Sequence, residues 1–274
     1  MHGCANDYIY VNCLDGLNFN PNELAKVMSP RHFSVGADGL VCICASDVAD
    51  AKMRMFNLDG SEGMMCGNAI RCVGKYLYDN GICKNDVITV ETLSGTKTLK
   101  LSIEGSHVKK VTVEMGKASF EPTDIPIAQR EPALKQELAV ANQNWEITAV
   151  SMGNPHAVII TNDIENLDLS KIGPEFENHP LFPERVNTEF IEKIDATHLK
   201  MRVWERGSGE TYACGTGACA TVAACVKNGI CQANTKVHVE LIGGILTIEC
   251  SDDYDIKMTG PATKVYEGVF EYEC

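Results

Sequence analysis

The sequence predicts an α+β fold made of two similar halves, each a sheet wrapped around one buried helix. Three observations predict it. The first is an internal repeat: residues recur without a gap at an offset of 148, the distance from Met53 to Met201. Met53-Arg54 recurs as Met201-Arg202, Glu62 as Glu210, and Cys66-Gly67 as Cys214-Gly215. Asn80-Gly81-Ile82-Cys83 recurs as Asn228-Gly229-Ile230-Cys231, Leu93 and Gly95 as Leu241 and Gly243, and Asn6 as Asn154. The second is a helical pattern that begins near each Cys-Gly pair. The third is a set of strand-like runs that follows each of those helices.

In the first half, Ile70, Val73, Tyr76 and Leu77 recur at helical spacing, and Asn80-Gly81 supplies a stop. In the second, "GACATVAACV" is small and apolar on nearly every side, the pattern of a fully buried helix. The runs "VITVETL", "KTLKLSI" and "VKKVTVEM" read as strands of the first half, and "KVHVELI" and "ILTIEC" as strands of the second. Between them, residues 116–132 carry Pro122, Pro126 and Pro132 and no clear period, which marks a boundary. The halves are therefore expected at 1–117 and 118–262.

Bulk composition narrows the function. The chain has 274 residues, 45% of them hydrophobic and 22% charged, which suits a packed globule. Its net charge of −13 argues against a polyanionic partner, so no nucleic acid is expected. No apolar run reaches about 18 residues, so no membrane partner is expected. The opening "MHGCANDYIYVNCLDG" has neither a basic leader nor an apolar core, which predicts a cytoplasmic protein. The 13 cysteines form no CxxC pair, so a metal knuckle is not expected, and most read as small buried core residues. Cys72, Cys83, Cys219, Cys225 and Cys231 are expected in that role. A thiol protein of another class, a redox sensor or metal store, would instead bind zinc or copper.

Cys66 and Cys214 stand apart. Each precedes Gly and then a small polar residue, Asn68 or Thr216, where a helix should begin. A helix start offers unpaired N–H groups and partial positive charge, which favours a thiolate and seats a carboxylate. Two matched thiols suit one reaction class in particular. Inverting a stereocentre needs one group to remove a proton from one face and its like to return a proton to the other.

The stretch "NLDGSEGMMCGNAIR", Asn57 to Arg71, resembles the signature of the diaminopimelate epimerase family. The resemblance extends through "MHGCANDYIYV", "SVGADGLV", "SMGNPHAV", "FPERVNTEF" and "WERGSGETYACGTGACA", in the family's order and over nearly the whole chain. It implies two α+β halves, each a mixed barrel-like sheet around a central helix, with residues 263–274 returning to the first half and the active site in the cleft between. It implies a homodimer without cofactor or metal that interconverts LL- and meso-diaminopimelate, for lysine synthesis and peptidoglycan precursor supply. Cys66 and Cys214 would be the acid/base thiols. Gly67, Asn68, Gly215 and Thr216 would hold the α-carboxylate, and Asn6 and Asn154 would orient the reacting end. Asn57, Asn187, Glu205 and Arg206 would read the distal amino-acid group, with His156 and Glu205 assisting proton transfer. A planar guanidinium suits the distal carboxylate, and a carboxylate suits the distal ammonium.

Two positions depart from the family pattern: Gly39, where many members carry Gln, and Cys4-Ala5 before Asn6, where Gly usually precedes the Asn. Glu62, Glu210 and Asp38 are expected in structural roles. Proline racemases and hydroxyproline epimerases are the nearest rival. They tend to carry His after the first Cys-Gly, where this chain has Asn68, and have no use for the Glu205-Arg206 pair.

Overall fold

The structure is a computed structural model that describes residues 1–272. They pack as two compact units: Met1–Glu114 together with the segment from Thr259 onward, and Met115–Met258. Of the segment 263–274, Glu273 and Cys274 lie outside the described residues. At its start, Thr263 exchanges two backbone hydrogen bonds of 2.9 Å with His2.

The first unit is a mixed sheet. Ile9–Cys13 runs parallel to Gly39–Cys44, which is antiparallel to Ala51–Asn57. Ala51–Asn57 runs parallel to Val87–Glu91, and Lys97–Glu104 and His107–Lys117 follow as antiparallel neighbours. Helix α1, Pro21–Met28, is capped by the Asn20 side chain and lays Leu24, Ala25 and Met28 over Leu40, Cys42 and Phe56. Helix α2, Gly67–Asp79, is the central one. It buries Ile70, Val73 and Leu77 of the face its spacing predicted, leaves Tyr76 half-exposed, and ends at Asn80 and the left-handed Gly81.

The second unit repeats this plan. Helix α3, Leu169–Glu177, and helix α4, Gly215–Lys227, stand 148 residues after α1 and α2. Pairing recurs at the same offset. Ile9 faces Leu40 as Ala157 faces Thr188, and Leu40 faces Phe56 as Thr188 faces Trp204. Two-residue register contacts then hold the chain before each central helix: Phe56 with Glu62, and Trp204 with Glu210. Glu62 and Glu210 take the structural roles expected of them, in ion pairs of 2.7 Å with Arg54 and 2.8 Å with Arg202. The second unit adds an outer hairpin, Gln136–Val140 with Gln143–Ser151.

The two central helices differ in how they are buried. α2 buries every position from Gly67 to Gly74 and is half-exposed at Lys75, Tyr76, Tyr78 and Asp79 in its C-terminal part. α4 buries every position from Gly215 to Cys225 except Thr216, and packs on strands Gln143–Ser151, Pro155–Ile160, Asn187–Lys193 and Gly244–Cys250. Its Ala and Gly content follows from that enclosure, since larger side chains would not fit among strands on several sides. Cys72, Cys219, Cys225 and Cys231 are buried as expected, but Cys83 is only half-buried, although it follows α2 at the distance at which Cys231 follows α4.

Outside α4, the aromatic cluster Trp145, Phe176 and Phe190 locks α3 to the sheet through edge-to-face contacts, with ring centroids 5.5 to 6.0 Å apart. Gly173 lets α3 lie directly on the Trp204 indole: a methyl group at residue 173 would sit 2.3 Å from Trp204 Cδ2. Gly173→Ala is therefore expected to lower the urea midpoint by the equivalent of about 1–3 kcal/mol, more than the roughly 1 kcal/mol that Ala gains in an exposed helix. A raised midpoint would contradict this packing.

Candidate active site

Each central helix starts on a cysteine. Cys66 is the N-cap of α2, with extended backbone, and its sulfur accepts the Ala69 N–H at 3.5 Å. Cys214 is the N-cap of α4, and its sulfur accepts the Gly217 N–H at 3.3 Å. Ala69 and Gly217 are themselves repeat-related. Sulfur is a weak acceptor, and Ser, Thr, Asp or Asn would cap either helix better. The cysteines therefore add little as caps, and they stand where several backbone N–H groups converge.

In the first unit, Cys66 donates to Asn6 Oδ1 at 3.4 Å. Asn6 Nδ2 donates to Asp38 Oδ2 at 2.8 Å, and the same oxygen accepts the Asp7 N–H at 3.1 Å. Arg31 closes the set with ion pairs of 2.6 Å to Asp7 and 3.0 Å to Asp38. Asp38, expected to be structural, thus orients a predicted site residue. Tyr8 lies buried beside Asn6 and Cys66, and burial above all, with Cys66 and the Asp38 carboxylate adding, holds its hydroxyl protonated. Gly67 and Asn68 are buried in the first turn of α2. Asn57 lies at the turn that leads there, where its Nδ2 donates to Ser61 Oγ at 3.0 Å.

Gly39 has a steric reason in this backbone. It pairs with Asn57, and a methyl group at residue 39 would lie 2.1 Å from the Phe56 carbonyl oxygen. Cys4 is buried against Arg71, which is itself fully buried and donates to Gly67 O at 2.9 Å and Pro261 O at 3.1 Å. Arg71 thereby anchors the first turn of α2. In the sequence it reads only as the last residue of a signature, with no role of its own.

In the second unit, Asn154, His156, Thr216 and Cys214 form a connected chain. Asn154 Nδ2 donates to Thr216 Oγ1 at 3.4 Å, and Thr216 Oγ1 lies 3.5 Å from Cys214 Sγ. His156 Nε2 is 3.0 Å from Asn154 Oδ1, and His156 Nδ1 is 2.7 Å from Glu189 Oε1. Glu205 hydrogen-bonds with Cys214 and accepts a short hydrogen bond from Thr211 Oγ1. Asn187 donates to Pro155 O at 2.8 Å and accepts the Arg206 N–H at 2.9 Å, while Arg206 Nη1 donates to Glu184 O at 2.9 Å. Asn187 therefore fixes the chain from which Arg206 projects.

Sequence reasoning missed Glu189, Tyr8 and Thr211. Glu189 had a signal, a single carboxylate within the otherwise uncharged run Val186 to Ile191. Tyr8 and Thr211 had none, because they matter only through neighbours distant in sequence.

The electrostatics of Cys214 differ from the sequence expectation. The helix start and the Thr216 and Gly217 donors favour the thiolate, but burial raises its pKa well above the ordinary thiol value, and the nearby Glu205 and Glu189 carboxylates add to the rise. Burial likewise raises Glu205, with Glu189 adding and His156 opposing. Among the described residues, no group of three or more His, Cys, Asp or Glu side chains is placed to hold a metal ion. No helix among them is long and apolar enough to cross a membrane.

Comparison with known proteins follows the same lines. The pattern of the diaminopimelate epimerase family matches residues 1–121 and 148–265. A diaminopimelate epimerase of Acetivibrio thermocellus is 53% identical over 270 residues, covering 98% of this chain and 96% of that protein. One of Methanococcus maripaludis is 51% identical, covering 98% and 97%. Among solved structures, a PhzF-family phenazine biosynthesis protein of Bacillus anthracis shares the fold with a TM-score of 0.70 at 19% identity, covering 100% and 95%. A hydroxyproline epimerase of Agrobacterium vitis with bound trans-4-hydroxy-L-proline does so with a TM-score of 0.67 at 16% identity, covering 95% and 86%.

The raised pKa makes Cys214 a thiol in the ligand-free protein at neutral pH. Alkylation of the Cys214 peptide by iodoacetamide, followed by mass spectrometry, is expected to be slow at about pH 7.5 and still rising above about pH 9. A rate that levels off near neutral pH would contradict a thiol held protonated by burial and by Glu205 and Glu189.

Proposed function

We infer the activity from one premise: the chain belongs to the diaminopimelate epimerase family. On that premise it is an amino-acid epimerase that interconverts LL- and meso-2,6-diaminopimelate. The structural observation that carries the mechanism is the repeated cysteine cap, one thiol at the start of each central helix.

In the forward reaction one thiolate removes the α-proton, and the other cysteine, as thiol, delivers a proton to the opposite face. The electron pair left by the departing proton spreads into the α-carboxylate. Backbone N–H groups at Gly67, Asn68, Gly215 and Thr216, at two positive helix ends, are suited to hold that carboxylate as charge builds. After turnover the protonation states of the two sulfurs are exchanged, so the reverse reaction runs on the same groups. Both proton transfers come from side chains, and the mechanism calls on no pyridoxal phosphate and no metal.

The environment of Cys214 gives the substrate a part in its own activation. The distal ammonium of diaminopimelate would sit against Glu205, and Arg206 would take the distal carboxylate. A cation at Glu205 offsets one of the two carboxylate charges that hold Cys214 protonated. The thiol would then become a usable base when the right substrate is bound, and a substrate without the second head group would lose both the contact and the activation. Asn57 and Asn187 would complete the distal site. His156 would act next to Cys214 through Asn154 and Thr216. The reading carries with it a cytoplasmic, homodimeric enzyme of lysine synthesis that also supplies peptidoglycan precursor.

Incubation of metal-stripped, pyridoxal-phosphate-free protein with LL-diaminopimelate in D2O tests the activity. The expected result is meso product carrying deuterium at one α-carbon, seen by NMR. Fully reduced protein that produces no exchange on diaminopimelate, but does so on a cyclic imino acid, would overturn the substrate assignment.

A further inference from the structure

Asn6 and Asn154 hold the same place in the two halves, yet different charges orient their carboxamides. Asn6 gives its NH2 group to the Asp38 carboxylate, which turns its oxygen to Cys66. Asn154 gives its NH2 group to Thr216, which turns its oxygen to His156. The residues responsible are not repeat-related: Val186 stands where Asp38 would recur, Tyr8 matches His156, and Val41 matches Glu189.

Hydrogen-bond valence then fixes the state of His156. An amide oxygen only accepts, so His156 Nε2, 3.0 Å from Asn154 Oδ1, carries a hydrogen. A carboxylate only accepts, so Nδ1, 2.7 Å from Glu189 Oε1, carries one too. With Asn154 oriented this way and Glu189 ionised, the ring is a double donor, and both it and Glu189 are fully buried. A buried cation of this kind needs a counter-charge in contact, and Glu189 is that charge. The site is built to admit it. A methyl group at residue 217 would lie 2.6 Å from Glu189 Oε1, so only Gly217 leaves room for the carboxylate against the first turn of α4. Glu189 Oε2 is buried with no hydrogen-bond partner, which leaves His156 as the hydrogen-bonded contact of this carboxylate.

We propose that Glu189 is a positioning residue: by keeping His156 a double donor, it fixes the Asn154 carboxamide with its NH2 group toward Thr216 and the start of α4. Its catalytic consequence rests on the activity proposed above. With Glu189 replaced by Gln, the ring keeps one hydrogen, the Gln carbonyl oxygen holds it on Nδ1, and Nε2 becomes an acceptor. The Asn154 amide then reverses and presents its oxygen to Thr216 and to the seat of the substrate carboxylate, where it repels. Glu205 and Cys214 are the other titratable groups facing this cluster.

The test uses protein with 15N-labelled histidine rings, the His156 signals being assigned by their loss in His156→Gln. Wild type should show both His156 ring nitrogens protonated at neutral pH without substrate. Glu189→Gln should show one bare nitrogen, Glu189→Asp should keep both protonated, and kcat/KM on diaminopimelate should fall at least about tenfold in Glu189→Gln and recover in part in Glu189→Asp. A bare ring nitrogen in wild type, or an unchanged doubly protonated ring in Glu189→Gln, overturns the proposal. If Glu189→Gln does not fold, the wild-type spectrum alone decides. That spectrum requires no turnover, so failure of the proposed activity would be seen separately as wild-type protein inert toward diaminopimelate.

Discussion

Everything at the site depends on a thiol capping a helix that the sheet holds in place. Sulfur contributes little as a cap, so the helices cannot owe their starts to it. They owe them to burial: α2 lays Ile70, Val73 and Leu77 on its sheet, and α4 is enclosed on nearly every side. With the helix axis fixed by packing, the first turn is free to serve chemistry. Its N–H groups face a sulfur and leave room for an anion, and glycine at positions 67 and 215 brings the backbone close.

The two halves share a scaffold and differ in their electrostatics. Helices, register pairs and the Arg54–Glu62 and Arg202–Glu210 ion pairs recur at one offset. What does not recur is the set of charges around each cysteine. Cys66 sits with Asn6, Tyr8 and the Asp38–Arg31–Asp7 network, where carboxylates are met by an exposed guanidinium. Cys214 sits with two carboxylates, the buried Glu189 and the half-buried Glu205, and a buried imidazole. A duplicated pair of thiols therefore stands in two unlike environments.

Much of this was legible in the sequence. The offset of 148 located both central helices, both cysteines and the structural glutamates, because repeated packing demands repeated residues. The strands "KTLKLSI" and "ILTIEC" followed from alternation and appear at Lys97–Glu104 and Gly244–Cys250. The charge state of Cys214 was not legible. It depends first on burial of the sulfur and then on Glu205 and Glu189 approaching from two strands, and helix-end reasoning alone gives the opposite sign. The orienting role of Asp38 was hidden because it exists only through Asn6, 32 residues away. The half-exposure of Cys83 was hidden because its repeat partner Cys231, equally placed after its helix, is buried.

The central claim is that each thiol serves one face of one carbon, and single-cysteine variants test it most directly. Cys66→Ala and Cys214→Ala would each be incubated in D2O with LL- and with meso-diaminopimelate, and the α-protons followed by NMR. Neither variant should interconvert the isomers, and each should exchange the α-proton of only one configuration, with retention, the two variants choosing opposite configurations. Interconversion by either variant would contradict the two-thiol mechanism, as would both variants exchanging the same configuration.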